Sequence, residues 1–325
     1  MKKLTLSLLC LSFIALTTHA QIVNIPDANF KAALIAYPNY VDLNGDGDIQ
    51  LSEAQAKTII DVSSKSITDL TGIAAFTSLT SLSCNNNQLT TLDVSKDTAL
   101  TLLVCRYNQL TTLYVSKDTA LNSIDCSNNQ LATLDVSKNT VLTILDFSSN
   151  NLTAIDVSKN TALTQLYCTS NQLTALDIRK DTALMYLDCF NNTLTALDIS
   201  KNTALIDLRC FSNQLTALDV SKNTTLTSLE CYLNPNLLVV CVNNTQLGLT
   251  TSNPSGWQKD AATSWSTSCA SSIDESYNVT IAPKLVHAYN LMGQKIIPEQ
   301  VKEGIYIYHY SDGSVRKIGK FENVK

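Results

Sequence analysis

The chain has 325 residues, ten of them cysteine and only three histidine, with 23 Lys or Arg against 28 Asp or Glu and a net charge of −5. The basic residues are scattered rather than clustered, which argues against a nucleic-acid partner. Past the first 20 residues no apolar stretch approaches the roughly 18 residues that cross a bilayer, which argues against an integral membrane protein.

Residues 1–20 read as a secretory signal: Lys2 and Lys3 precede an apolar run from Leu4 to Leu16, and Thr18 and Ala20 offer small residues for cleavage. Leu9 is too large to precede a lipidated cysteine at Cys10. The mature chain is expected to begin at Gln21, where losing Lys2 and Lys3 leaves 21 basic residues against 28 acidic.

Residues 21–57 are expected to form an N-terminal cap. A helix starting at Asp27 would carry Phe30 and Leu34 inward and stop before Pro38. Next comes Asp42-Leu-Asn44-Gly-Asp46-Gly47-Asp48-Ile-Gln50-Leu-Ser-Glu53, which resembles the EF-hand calcium loop at every specified position. The resemblance implies one structural calcium ion. Asp42, Asn44 and Asp46 would give side-chain oxygens, Asp48 its backbone carbonyl, Gln50 a direct or water-bridged contact and Glu53 two oxygens, with Gly47 at the sharp turn. With a single loop and a helix that stops early, calcium is expected to stiffen the cap rather than to switch it.

From about residue 58 to 237 the chain repeats. Asn87, Asn108, Asn129, Asn150, Asn171, Asn192, Asn213 and Asn234 succeed one another at intervals of 21 residues without a slip. Around each recurs a frame such as Leu100-x-x-Leu103-x-Cys105-x-x-Asn108-x-Leu110, then Leu113-x-Val115 and a polar Ser-Lys-Asp-Thr-Ala turn. Leu103 and Cys105 stand two apart, as inward residues of a strand must, and the apolar spacing restarts after the Asn. No 21-residue coil can bury its apolar set alone, so coils must stack, at roughly 4.8 Å per strand. The frame resembles the bacterial leucine-rich-repeat family. That implies an α/β-type repeat solenoid with parallel strands on a concave face, mostly strand and loop, to which the strand-like alternation in 279–325 adds a small C-terminal β domain. The Asn ladder reads as structural, its amides serving backbone groups that the bends leave unpaired.

Two other ladders invite chemistry. Cys84, Cys105, Cys126, Cys168, Cys189, Cys210 and Cys231 precede the Asn positions by three, with Phe147 in the same place in one coil. Without a nearby histidine or a Cys-x-x-Cys pair they read as small buried hydrophobes rather than as metal ligands. Asp93, Asp135, Asp156, Asp177, Asp198 and Asp219, with Tyr114 in one coil, read as a solvated face offset by lysines three residues on. The histidines are His19, His287 and His309, so the coils carry no usual general base, and no catalytic motif appears. The chain is therefore expected not to be an enzyme.

Against so strict a frame the variable positions carry the specificity. Phe190, Phe211 and Tyr232 share one site in three successive coils, Tyr167 and Tyr186 lie beside them, and Asp188, Arg209 and Glu230 form a row of alternating charge. An aromatic stripe with a polar rim suits a protein segment or the flat faces of sugars. A second, weaker candidate is Leu102, Val104, Arg106 and Tyr107.

After Asn234, residues 238–269 are expected to close the stack, with Trp257 and Trp265 over the last coil and a disulfide between Cys241 and Cys269. A polar linker spans 270–278. In 279–325, Leu285 to Lys295 and Gly304 to Lys317 alternate like strands, the second turning at Asp312-Gly313. These segments resemble the sorting domain of bacterial type IX secretion, although the Pro-Asn-Pro element that usually opens it is missing. The resemblance implies the type IX machinery as a partner and a final place outside the cell or on the bacterial outer surface. The whole chain reads as a secreted or cell-surface protein that binds a protein or glycan, adhesin-like, through its concave face; the alternative is a matrix scaffold with calcium-stabilised repeats.

Overall fold

The computed structural model describes residues 21–268, apart from 97 and 253–255, together with the backbone of four strands between 285 and 319. The signal at 1–20, Cys269 and the linker at 270–278 lie outside the described residues. The chain divides into two compact units, Met1–Thr267 and Ser268–Lys325.

In the first unit a short strand recurs once per coil: β1 Ile59–Asp61, β2 Ser81–Ser83, β3 Leu102–Val104, β4 Ser123–Asp125, β5 Ile144–Asp146, β6 Gln165–Tyr167, β7 Tyr186–Asp188 and β8 Asp207–Arg209. After β9 Leu218–Asp219 come β10 Ser228–Glu230, β11 Val239–Cys241, β12 Trp257–Gln258 and β13 Ser264–Ser266. β1 to β8, β10 and β12 form one ten-stranded parallel sheet, and β9, β11 and β13 a second, three-stranded one. Register is strict: Leu82 pairs with Leu103, Leu103 with Ile124 and Ile124 with Leu145. The middle residue of β1 to β8 and of β10 and β11 points inward and is fully buried, each side chain worth roughly 1.5–3 kcal/mol of burial. The parallel solenoid predicted from the repeat is thus present, but the sheet is longer than the eight Asn-marked coils. Ile60, Val62, Ile67, Leu70, Ile73 and Leu79 bury themselves as an added first coil, and the cap supplies the last strand. Among the described residues α-helix is confined to the ends, α1 Ala28–Ile35 and α2 Leu51–Ala56 before the coils and α3 Asn244–Ser252 after them, with one 3-10 turn, Ile73–Ala75, in the first coil.

The Asn ladder explains why the coils stack in this register. In each of the eight coils the residue before the ladder Asn has positive φ, 52–56°, and none of the eight is glycine. This bend costs on the order of 1–2 kcal/mol per residue and leaves backbone groups unpaired. Asn129 shows how they are satisfied. Its amide donates to the Cys126 carbonyl of its own coil at 3.0 Å and to the Cys105 carbonyl of the previous coil at 3.1 Å, while its oxygen accepts from the Leu110 amide at 3.0 Å. Every ladder Asn is buried and repeats this pattern.

A second ladder runs through the polar turn, and sequence reasoning missed it. Asp118, Asn139, Asn160, Asp181, Asn202 and Asn223 are fully buried. Each Asn donates twice to the preceding coil, as Asn160 does to the Val136 carbonyl at 3.0 Å and the Asn139 carbonyl at 2.9 Å. At Asp118 and Asp181 no carboxylate oxygen has a hydrogen-bond partner. Burial pushes both carboxyls up to about 7, with Asp93 adding to the effect at Asp118 and Asp177 and Asp156 at Asp181.

The caps replace the missing neighbours atom for atom. At the front, Asn39 donates to the Asp61 carbonyl and accepts from the Asp61 amide at 2.7 and 2.9 Å, covering the open edge of β1. Asp27 caps α1 through the Phe30 amide and accepts from the Thr68 amide of the first coil. At the back, the Asp260 carboxylate accepts from the Leu233 and Asn234 amides, both at 2.9 Å. Gln246 ends the second ladder on the Val220 and Asn223 carbonyls, and the buried Trp257 donates its indole N–H to the Thr227 carbonyl. Trp265 packs edge-on against Trp257 at 5.8 Å. Cys241 is disulfide-bonded, and the seven ladder cysteines are free and buried.

In the second unit the four strands, β14 Leu285–Asn290, β15 Lys295–Ile296, β16 Ile305–Tyr310 and β17 Val315–Gly319, form one antiparallel sheet in the order β15-β14-β16-β17.

Two consequences can be measured. Asn150→Ala leaves the buried Leu131 amide without a partner and strips one of two asparagine donors from each of the Cys126 and Phe147 carbonyls, which Asn129 and Asn171 still serve, and should cost on the order of 2 kcal/mol in denaturant unfolding, whereas exposed Asn151→Ala stays within about 0.5. The Asp181 carboxyl keeps its proton in the folded chain after the unfolded chain, at 3.8, has released it. Its contribution to stability therefore falls as pH rises from about 4 to about 7. Asp181→Asn restores the two donors, so it should raise the melting temperature at pH near 7.5 by roughly 2–4 °C, with a smaller gain at pH near 4.

Candidate functional site

Inward positions are set by the frame, so chemistry is left to the side chains that flank them. On the sheet of the first unit these are the first and third residues of each strand, all partly exposed from β2 to β10, and the residue just after the buried cysteine or phenylalanine. Because register never slips, residues of one column lie beside each other on adjacent coils. Tyr167 pairs with Asp188, Asp188 with Arg209 and Arg209 with Glu230; Tyr186 pairs with Asp207.

The expected aromatic stripe forms a stack. Phe190 and Phe211 lie 4.2 Å apart between centroids with planes at 10°, and Phe211 and Tyr232 lie 4.6 Å apart at 7°. All three rings remain partly exposed. The spacing is that of the strands, so the sheet itself holds the rings face to face. In earlier coils the same column holds Arg106, Ser127, Ser148 and Thr169, so the frame does not demand an aromatic there.

Beside the stack, Arg209 is shared by three carboxylates: Asp207 at 3.2 Å, and Asp188 and Glu230 at 3.7 Å each. Burial raises the Asp188 carboxyl to about 6, opposed by Arg209 and reinforced by Asp207, Glu230 and Asp146. Asp146 is also raised by burial; its carboxylate accepts from the Ser148 amide at 2.9 Å, and no ion pair among the described residues reaches it. Tyr167 sits between Asp146 and Asp188 in register, its hydroxyl donating to the Gln165 side chain at 2.9 Å. Asp146 and Asp207 were not singled out in the sequence, although the 21-residue frame places them in the same two columns as Asp188 and Tyr186. In the weaker candidate, Leu102 and Val104 are partly buried, Arg106 lies 3.7 Å from Asp125, and its guanidinium is 5.9 Å from the exposed Tyr107 ring.

The surface Asp ladder corrects an expectation. Its carboxylates are held chiefly by their own turns, where Asp93, Asp135, Asp156, Asp198 and Asp219 accept the amide two residues ahead at 2.8–2.9 Å, and the lysines three residues on add a smaller charge effect at Asp93, Asp135 and Asp156. These bonds hold Asp93, Asp135, Asp156 and Asp198 below the usual carboxylate range, and Asp177 is lowered chiefly by the Arg179 side chain. The Asp-x-Ser spacing was the available signal. The cysteine ladder is chemically quiet, because burial pushes every thiol up, that of Cys84 to about 12.

The Asp42 to Glu53 loop lies between α1 and α2, a second helix that the sequence pattern did not mark. Its carboxylates hold the loop together. Asp42 accepts from the Gly45 and Gly47 amides at 2.7 and 2.9 Å. Asp46 accepts from the Asp48 amide, the Asn44 amide group and the Gln50 amide group at 2.8–2.9 Å. Glu53, nearly buried, accepts from the Leu43 and Gln50 amides and so ties the two ends of the loop. The Asp48 side chain turns outward to Lys31 at 2.7 Å. Gly47 has φ of 84°, a conformation that glycine adopts without strain. Among the described residues no three carboxylate, histidine or cysteine side chains gather as a preformed metal cluster.

No protein-family model and no curated protein matches the chain. Among solved structures it is similar to the functional domain of InlJ from Listeria monocytogenes, described as including a cysteine ladder, with 38% identity over 69% of this chain and 52% of that one and a TM-score of 0.60. It is also similar in fold to a leucine-rich-repeat protein of Leptospira interrogans, with 24% identity over 62% of this chain and 54% of that one and a TM-score of 0.55. The chain spans about half the length of either structure. The fold is that of the leucine-rich-repeat proteins, a parallel-strand solenoid of about ten turns.

Proposed function

We propose that this protein is a secreted or cell-surface binding protein that holds a protein partner on the strand face of its solenoid. The observation that carries the reading is the Phe190, Phe211 and Tyr232 stack: three partly exposed rings held face to face on the sheet, in a column where the three preceding coils carry serine or threonine. Rigid aromatic surface beside a polar row is what recognition sites use, because few rotamers are lost when it is covered. The similarity to InlJ, a repeat solenoid with its own cysteine ladder, supports a framework built to display such a face. The reading is of binding and not catalysis, since the coils supply no histidine and their cysteines are buried. Export rests on the signal-like residues 1–20 and on the type IX-like segment at 279–325, and no helix among the described residues is long and apolar enough to cross a membrane.

The loop from Asp42 to Glu53 belongs to the same proposal as a structural calcium site. Its donors are hard oxygens: carboxylates of Asp42, Asp46 and Glu53, amide oxygens of Asn44 and Gln50, and the Asp48 carbonyl. The Asn44 and Gln50 amide nitrogens now donate to the Asp46 carboxylate; with a cation bound, the same amides would turn oxygen toward it.

Two experiments test these readings. Phe190→Ser, Phe211→Ser and Tyr232→Ser together keep the frame, because Ser127 and Ser148 occupy the equivalent positions, so the variant should melt within a few degrees of the parent yet lose capture on an array of extracellular proteins and glycans. A folded variant with unchanged capture would sink the strand-face reading in favour of a scaffold. For calcium, adding the ion at a hundredfold excess over its dissociation constant should stabilise the mature protein by about 2.7 kcal/mol, and Glu53→Gln should remove the effect. A melting curve indifferent to calcium and chelator, together with no bound metal by elemental analysis, would refute the site.

A further inference from the structure

From its third to its ninth strand the sheet bears five carboxylates, Asp125, Asp146, Asp188, Asp207 and Glu230, but only one guanidinium among its strand residues, Arg209. Arg106, just past β3, serves Asp125 at 3.7 Å. Arg209 is divided among three carboxylates at 3.2–3.7 Å, and one oxygen of Asp207 is buried with no hydrogen-bond partner. The lysines of the coils all lie in the polar turns, so none relieves this face. Asp146, in particular, has no ion pair among the described residues, and Arg106 acts on it only from a distance, as the smallest of the influences on its carboxyl. Asp146 stands two strands from Asp188, on the order of 9–10 Å, with Tyr167 between them. An aromatic ring flanked by two carboxylates attracts a cation both through the ring face and through charge. Next to this point begins the apolar stack of Phe190, Phe211 and Tyr232.

We infer that the partner of the strand face is an extended protein segment that turns first a basic and then apolar side chains to the sheet at every second residue: a lysine or arginine lies across Tyr167 between Asp146 and Asp188, and apolar side chains cover the Phe190 to Tyr232 stack. The inference rests on the strand-face reading and adds the charge of the partner to it. Charge complementarity selects the occupant. An acidic or sulfated ligand would bring like charge onto partly buried carboxylates, and a neutral sugar would leave Asp146 uncompensated. An extended chain meets this geometry when the basic residue and the apolar ones stand two apart, since every second side chain points to one side.

The test uses the mature protein and three capped, fluorescein-labelled heptapeptides Ser-X-Ser-Leu-Ser-Leu-Ser with X lysine, glutamine or glutamate, read by fluorescence anisotropy at low and at physiological salt. The lysine peptide should bind at least about tenfold tighter than the glutamine peptide, with the margin narrowing as salt rises, and the glutamate peptide should bind weakest. Asp146→Asn with Asp188→Asn should bring the lysine peptide down to the level of the glutamine peptide and leave the latter unchanged; Asn at 146 keeps an oxygen for the Ser148 amide, which protects the fold. Equal affinity for the lysine and glutamine peptides, a preference that survives the double variant, or no binding by any peptide overturns the inference. The serine variant of the stack separates this failure from that of the parent reading. If it abolishes binding of all peptides while charge proves irrelevant, the strand face stands and the basic partner falls; if it binds peptides as the parent does, the strand face falls as well.

Discussion

The structure depends on one arrangement of hydrogen bonds: an asparagine side chain in each coil that completes the bend of its own coil and of the one before. A left-handed bend at tyrosine, serine, asparagine or leucine is unfavourable alone, and it recurs because Asn129 and its equivalents reach the carbonyls and amide that the bend exposes. Half of each bond set crosses to a neighbour. A coil is therefore finished only by stacking, and stability is shared between nearest neighbours rather than held within any one repeat. The second ladder at the polar turn applies the same rule from the other side of the coil, and there the chain departs from it at Asp118 and Asp181, which carry acceptors where the geometry asks for donors. Asp118 and Asp181 are costs built into the scaffold at neutral pH.

The same dependence makes the ends special. A stack of mutually completed coils leaves a coil's worth of unpaired groups at each end, and the caps answer with side chains that imitate a coil. Asn39 takes the place of a strand backbone at the front, Asp260 offers two oxygens where carbonyls of the next coil would be, and Gln246 supplies one more amide to the second ladder. The acid loop beside α1 belongs to this front cap, where Asp27 joins the helix to the first coil. A calcium ion there would act on the piece that holds the stack closed, which is why its effect is sought in stability and not in a change of shape.

Since the frame fills every inward position with the same few residues, the surface is where one coil can differ from another. The cysteines belong to the frame: buried thiols between leucines, with Cys126 and Cys231 donating weakly to the carbonyl of the next coil. The aromatic stack and the acidic columns belong to the surface, and they meet over three or four coils of the sheet. Column position turns a linear sequence into a flat pattern of side chains about 5 Å apart in one direction, and it brings Asp146, Tyr167, Asp188 and Arg209 side by side though each is 21 residues from the next.

The interval of the Asn positions and the two-residue spacing of Leu and Cys were enough to read the solenoid, its inward residues, the structural role of the Asn ladder and the column shared by Phe190, Phe211 and Tyr232. A strict repeat makes distance in space a multiple of distance in sequence, so these are periodic facts. Other features depend on side-chain direction and burial, which periodicity does not carry. The turn residue that alternates between Asp and Asn looks like solvent-facing chemistry in sequence and is fully buried in the fold. The Asp at the other turn looks offset by a lysine, but its main partner is an amide two residues on and the lysine adds only a smaller charge effect. Asn39, Asp260 and Gln246 stand outside any repeat, so nothing in their spacing marks them; their work exists only once the stack has ends. The sharing of Arg209 among three acids is of the same kind, because an ion pair depends on the rotamers and solvent exposure of groups that register merely brings near.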